Sequence, residues 1–362
     1  MFYYFFYPLH KIFSFFNIFR YITFRAAMAA LTAFLISLAL GPVVIRLFRK
    51  FNLVENVRKE ASLRLDDLHS GKENTPTMGG VMILIALVIS TLLWADTTNR
   101  FVIIVLASTL WLGLTGLADD YLKQVRRKSN GLTATAKFSS QIILGLALGT
   151  VLFLDPAIST KLNIPFMKGV SLELGLFYLL FVIIVIAGSS NAVNLTDGLD
   201  GLATGSVIMV ALALSVLCYV SGHLKFSSYL LVPYINGSAE LAVFCAAMVG
   251  ACLGFLWYNC YPASIFMGDV GSLALGGALG TVVLLIKKEF LLVVVGGVFV
   301  LEALSVILQV ASFKLTGRRI FKIAPLHHHF QFMGWPESKV IVRFWIMAII
   351  FAMITLVTLK VR

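Results

Sequence analysis

The stretch "GLTGLADDYLKQVRRK" (113–128) runs apolar as far as Ala118, meets Asp119 and Asp120, and then turns basic. Carboxylates at the end of a hydrophobic segment are costly to place, so they mark either a boundary with water or a use. The apolar run before them begins near residue 101 and is long enough to cross a bilayer.

The rest of the chain has the same character. Of 362 residues, 59% are hydrophobic and only 13% charged, with a mean hydropathy of +0.94; a soluble domain carries about 25% charged residues. Ten apolar runs have spanning length, at about 23–45, 77–94, 101–118, 134–154, 172–189, 201–220, 238–258, 262–286, 290–312 and 341–359. Only helices or closed barrels satisfy the backbone in lipid, and continuous runs without period-two alternation favour helices. The expected fold is all-α: a polytopic integral membrane protein of about ten transmembrane helices, one domain over 1–362.

The opening "MFYYFFYPLHKIFSFFNIFRYITF" (1–24) is crowded with Phe and Tyr and lacks the basic start and cleavage site of a signal peptide. It reads as an interfacial aromatic segment over 1–22, ahead of the first span. Cys218, Cys245, Cys252 and Cys260 lie in or beside spans without C-x-x-C spacing, which fits small buried residues better than a disulfide or zinc site. The net charge of +12 comes without a basic domain outside the membrane. It points to cytoplasmic loops and anionic membrane lipid, not to nucleic acid.

Ten spans give two sets of alternating loops. The loops after spans one, three and nine hold sixteen basic residues, against ten in the other set with both tails included. The positive-inside rule therefore puts the first set in the cytoplasm and both termini on the periplasmic side. Five polar stretches fall in that cytoplasmic set: "SGKENTPTMGG" (70–80), "ADDYLK" (118–123), "SSNAVNLTDGLDG" (189–201), "YNCYPASIFMGDVGS" (258–272) and "APLHHHF" (324–330). Scattered structural polar residues would divide between the faces. One cytoplasmic site assembled from loops 46–76, 119–133, 190–200, 259–272 and 313–340 is expected instead.

Asp119, Asp120, Asp197, Asp200 and Asp269 concentrate there. Carboxylates converging near a bilayer repel one another unless a cation or a base offsets them. Magnesium suits an all-oxygen set that leaves positions for water and phosphate, and remaining carboxylates can take a proton. Lys72, Lys123 and Lys137 accompany the acids and, with the metal, would neutralise a diphosphate. Glycines in "MGGV" and "MGDVGS" permit close backbone approach to a ligand. Glu302, inside the ninth span, reads as a structural hydrogen-bond partner or a helix break. "LHHHFQFMG", between Pro325 and Trp335, reads as a short amphipathic helix or loop at the membrane surface.

"TPTMGG" (75–80), "DDYLK" (119–123), "NAVNLTDGLDGLA" (191–203), "FMGDVGS" (266–272) and "PLHHHF" (325–330) resemble the signature blocks of the polyprenyl-phosphate N-acetylhexosamine-1-phosphate transferases. The triple histidine and the ending "GWPESKVIVRFW" (334–345) bring it nearest the branch that handles phospho-N-acetylmuramoyl-pentapeptide. The similarity runs in order along essentially the whole chain. It implies a magnesium-dependent transferase of the bacterial cytoplasmic membrane. The substrates would be UDP-N-acetylmuramoyl-pentapeptide and undecaprenyl phosphate, the products lipid I and UMP, and the assembly a homodimer.

Matched by motif, Asp269 would be the metal ligand and, with Asp119 and Asp120, a catalytic carboxylate, Asp119 deprotonating the lipid phosphate; direct displacement and a phospho-aspartyl intermediate at Asp269 are both open to such a site. Lys72, Thr77, Lys123, Lys137, Asn191, Asn194 and Asn259 would hold phosphates or sugar. Gly198, Leu199, Asp200 and Phe266 would form the uridine pocket, with Asp197 in the same wall and Gly268 giving backbone approach. His327, His328 and His329 would contact the donor or the departing phosphate, His327 as a catalytic group. One departure stands out: Gln331 occupies a position where the resemblance leads one to expect an acid. Two other readings compete. A UDP-N-acetylglucosamine transferase on the same scaffold is disfavoured by the triple histidine. An ion-coupled transporter would set its carboxylates near the bilayer midplane, not at one face.

Overall fold

The computed structural model describes residues 1–51, 53, 75–126, 131–155, 158–163 and 171–359. Lys72, Arg127 and Lys128 lie outside the described residues. Among the described residues the long helices are α2 (Ile22–Lys50), α3 (Gly80–Trp94), α4 (Arg100–Gln124), α5 (Ala134–Leu154), α6 (Phe177–Thr196) and α7 (Leu202–Ser221), then α9 (Leu241–Asn259), α10 (Gly268–Leu285), α12 (Gly297–Thr316) and α14 (Glu337–Val357). Short helices α1 (Phe2–Phe6), α8 (Leu224–Tyr229), α11 (Glu289–Val295) and α13 (Leu326–Phe332) connect them. Among the described residues nine helices are long and apolar enough to span a membrane, and α3 is a shorter apolar helix of 15 residues. The expected ten apolar segments are therefore present as helices.

Three boundaries differ from expectation. The span expected at 172–189 lies at Phe177–Thr196, because Ser171–Glu173 pairs antiparallel with Lys161–Asn163 in a two-stranded hairpin. Asn191 and Asn194, expected in a loop, are thus helical. The ninth span is broken at Gly296 into α11 and α12. The eighth starts only at Gly268, leaving residues 260–267 to form a loop.

At the centre stands α10, buried at every position from Val270 to Leu285 and flanked by α4, α6, α3 and α7. A second layer forms where α2 packs against α9. The buried ridge of α2 is Arg25, Ala29, Ala33, Ser37 and Gly41, small residues at four-residue spacing after the arginine. Gly250 and Gly254 of α9 meet it so closely that a Cβ on Gly250 would stand 1.9 Å from the Ala30 carbonyl oxygen. In lipid, helices gain little from hydrophobicity alone and associate by this kind of backbone approach.

The end of the bundle where α4 begins is pinned by balanced charge. Arg25, 3% exposed, forks onto both Glu240 oxygens, donating from Nη1 at 2.8 Å and from Nη2 at 2.5 Å. The Asp96 N–H also donates to Glu240, at 3.0 Å. The aromatic segment folds back here: Phe19 stacks on Trp94 and on Phe6, while Phe5, Ile12, Phe13 and Phe15 remain exposed. At the far end of α10, Lys287 reaches Glu289 at 2.7 Å and lies 4.4 Å over the Tyr178 ring.

Removing one partner of a buried pair strands the other charge, which costs about 3–5 kcal/mol. Arg25→Ala is therefore expected to lower the thermal midpoint in detergent strongly, whereas Arg25→Ala with Glu240→Gln recovers part of the loss. Differential scanning fluorimetry of the two variants checks this.

Candidate active site

The site lies at the other end of α4, about 30 Å from Arg100 at 1.5 Å per residue. Asp119 and Asp120 occupy the last turns of α4, and Asp269 the first turn of α10. The two helices touch because Gly116 has no side chain: a Cβ there would stand 2.2 Å from the Asp269 carbonyl oxygen. Gly268 enters α10 with φ +72°, and a Cβ on it would come within 2.6 Å of Asp120 Oδ2. The Val270 N–H donates to that oxygen at 3.1 Å, seating Asp120 on the N-terminus of α10. A carboxylate is favoured there by unpaired N–H groups and the helix dipole.

Asp119, Asp120 and Asp269 each offer an oxygen within 4.8 Å of the others. At that separation each ionised pair repels by about 3.5 kcal/mol at an effective dielectric of about 20. Two lysines offset much of this. Lys123, one turn beyond Asp119, lies 2.5 Å from Asp119 Oδ2 and 3.0 Å from Asp269 Oδ2. Lys137, in the first turn of α5, lies 2.8 Å and 2.5 Å from the same two oxygens. Three carboxylates face two ammonium groups, so the cluster is one positive charge short.

The second oxygens of Asp269 and Asp119 are held by neutral donors. Asn194 Nδ2 donates to Asp269 Oδ1 at 2.8 Å and to Ser272 Oγ at 2.9 Å. The Leu132 N–H donates to Asp119 Oδ1 at 2.7 Å. The set fits a hard divalent cation: its donors are all oxygen, its helices fix it, and its charge is short on the positive side.

Two signature stretches meet directly beside it. The Phe266 N–H donates to the Pro76 carbonyl, and Gly79 and Gly80 donate to the Phe266 and Met267 carbonyls, each at 2.8 Å. Gly268 lies against Asp120, and Thr77 and Phe266 belong to the two stretches that meet there. His327 is buried with its ring against Gly198, just after α6.

Other expected site residues sit apart from the carboxylates. Asn191 turns toward α5, donating to Gln141 Oε1 at 2.9 Å and to the Ala187 carbonyl. Asn259 is buried between Thr204, whose hydroxyl it accepts at 3.0 Å, and the Ile265 carbonyl. Asp200 accepts the Ala263 N–H at 2.9 Å, while its own N–H donates to Glu337 Oε1. Leu199 is buried in a small apolar cluster with Leu202, Val340, Ile341 and Phe344. These contacts tie the loops of the site together. Asp197 follows directly on the C-terminus of α6.

Sequence reasoning missed Ser272, Gln141 and the Leu132 N–H. Ser272 was visible as the last residue of "GDVGS", three positions beyond Asp269. The other two carry no signal outside the folded chain.

Two family patterns match the chain: Glycosyl transferase family 4 over residues 102–287, and Phospho-N-acetylmuramoyl-pentapeptide-transferase signature 1 over residues 72–84. Relatives of matching length are similar throughout. A Phospho-N-acetylmuramoyl-pentapeptide-transferase of Desulfotalea psychrophila is 50% identical over 363 residues, covering 100% of both chains. Those of Desulforapulum autotrophicum and Desulfatibacillum aliphaticivorans are 51% and 53% identical over 357 residues, with 98% of each chain covered.

A bound cation stabilises the folded state by mass action, about 2.7 kcal/mol at one hundred times Kd. Magnesium is expected to raise the thermal midpoint of the wild type. In Gly268→Ala, where the new methyl displaces Asp120, that rise is lost, as a magnesium titration followed by scanning fluorimetry would read.

Proposed function

The chain belongs to glycosyl transferase family 4 and, within it, to the phospho-N-acetylmuramoyl-pentapeptide-transferases, and on that premise we propose how its site works. The reaction moves phospho-N-acetylmuramoyl-pentapeptide from its UDP carrier to undecaprenyl phosphate, giving lipid I and UMP. The observation that carries the mechanism is the three-carboxylate, two-lysine cluster at one end of the bundle.

Asp269, oriented by Asn194, is the carboxylate that would hold magnesium. When bound, the ion supplies positive charge against the donor's diphosphate. Lys123 and Lys137 are ammonium donors that arriving phosphate groups can draw away from the carboxylates. Asp119, which both lysines hold in the ligand-free site, is then the carboxylate released to accept a proton from the lipid phosphate. The oxygen so freed attacks the β-phosphorus. The bond from that phosphorus to the bridging oxygen breaks, and UMP leaves with the electron pair. Asp120, anchored on Val270, holds the reacting turn in place.

Thr77 and Lys72 belong to the phosphate-holding set in this reading. Phe266 stacks on uracil, Asp197 and Gly198 line the nucleoside wall, and the three histidines meet the donor. In this reading Asn191, Leu199, Asp200 and Asn259 support the wall of the substrate site, consistent with their contacts to Gln141, the apolar cluster, Ala263 and Thr204.

The protein crosses the membrane many times. The site belongs on the cytoplasmic face of the bacterial inner membrane and both termini in the periplasm, since the donor is soluble and the basic loops lie on the side of the site. The aromatic segment then lies in the outer headgroup layer, with Lys11 and Arg20 beside its exposed rings.

Two experiments test the reading. Purified protein given the UDP-linked donor, undecaprenyl phosphate and magnesium should release UMP, and Asp269→Asn should abolish magnesium-dependent release while staying folded. Failure of the wild type with any divalent ion refutes the assignment. Sidedness has a natural reporter, because Cys260 is exposed while Cys218, Cys245 and Cys252 are buried. An impermeant maleimide should label Cys260 in inverted vesicles and not in right-side-out ones. The opposite pattern overturns the topology.

A further inference from the structure

The three consecutive histidines are backed by three chemically different partners. His329 Nδ1 accepts the Lys322 backbone N–H at 3.1 Å, so its neutral ring keeps the proton on Nε2. His328 Nδ1 lies 2.9 Å from the Gln331 amide oxygen, an acceptor that draws the ring proton to Nδ1. His327 faces a carboxylate. Glu302 Oε1 accepts the His327 backbone N–H at 3.2 Å, and Oε2 stands 3.1 Å from Nδ1.

Glu302 is 0% exposed and His327 1%. The Nδ1 approach is off-axis, a charge contact short of an aligned hydrogen bond; catalytic pairs commonly tighten only when substrate is seated. The other ring nitrogen, Nε2, is buried and has no hydrogen-bond partner among the described residues. It points at Gly198, where a Cβ would stand 2.3 Å away. A buried imidazole held from behind by a carboxylate, with its far nitrogen unsatisfied and packed against the one residue type that leaves it room, is a polar group still owed a partner.

We propose that Glu302 is a positioning residue that fixes the proton of His327 on Nδ1, making Nε2 the nitrogen that serves the donor's diphosphate. With a carboxylate behind it and phosphate in front, the ring carries a proton on both nitrogens and donates from Nε2 to a phosphate oxygen. His328 meets an amide oxygen at Nδ1 and His329 a backbone N–H. The inference rests on the reading of His327 as a donor-facing residue.

Glu302→Gln discriminates, because it keeps the volume and an oxygen for the His327 backbone N–H. Its amide NH2 then faces Nδ1 and forces the neutral ring into the opposite tautomer. Full-length protein labelled with 15N-histidine, with His327→Asn to assign the signal, should show Nδ1 protonated in the wild type and unprotonated in Glu302→Gln. In the UMP-release assay kcat should fall about 10–100-fold, the usual cost of losing a group that orients another. KM for the donor should stay within about twofold, because a contact made mainly in the transition state lowers kcat and leaves ground-state binding alone. Added to His327→Asn, the same substitution should cost nothing further.

An unchanged 15N pattern, a wild-type kcat, or a full additional loss in the His327→Asn background would each overturn the proposal. The tautomer readout needs no turnover. A wild type that releases no UMP therefore refutes the assigned reaction while the Glu302 contact is still decided by the spectrum.

Discussion

Three carboxylates gathered beside a membrane cannot all stay charged without positive charge at hand, and that constraint organises the molecule. Asp119 and Asp120 come from α4, Asp269 from α10, Lys137 from α5 and Asn194 from α6. No single helix contains a working set. The sequence therefore has to spend its small residues where these helices cross, as Gly116 does against Asp269 and Gly80 against Gly271. Packing and electrostatics are one requirement here, because the crossing sets the separation of Asp119 and Asp269 that Lys123 and Lys137 bridge.

The far end of the bundle gives the contrast that separates structure from chemistry. Arg25 and Glu240 match one charge to one, and Arg25 engages both oxygens of its partner. A balanced, geometrically complete pair asks for nothing more. The site cluster sets three acids against two bases. Residual charge of one sign, held rigidly, is what a cation or a proton can answer.

Much of this was legible in the sequence because charges are rare in an apolar chain and each one reads as a decision. The class, the ten apolar segments and the convergence of Asp119, Asp120, Asp269, Lys123 and Lys137 followed from that rarity and from loop sidedness. Polar, glycine-rich stretches were harder. "SSNAVNLTDGLDG" reads as a loop throughout, yet its first half continues α6, and helical geometry is what aims Asn194 at Asp269 while Asn191 faces Gln141. Asp200 and Asn259 look like ligand groups by composition, and the fold also gives them loop backbone and Thr204 to hold. Local composition cannot tell whether a polar side chain will find its partner in the protein or outside it. The pairing of Glu302 with His327 was hidden for a related reason: the two are separated by a loop whose path only the fold determines.

The helix α12 is held unevenly along its length. Its buried residues, Gly297, Val298, Phe299, Glu302 and Ser305, all fall in the first half, and none follows Ser305. The exposed second half of the helix still has a partner: Gln309 ties down the loop at Ile320 and Phe321, while Glu302, in the buried half, grips His327 beyond that loop. The connecting segment is thus moored twice to one helix, which serves as the ruler against which the imidazole is set.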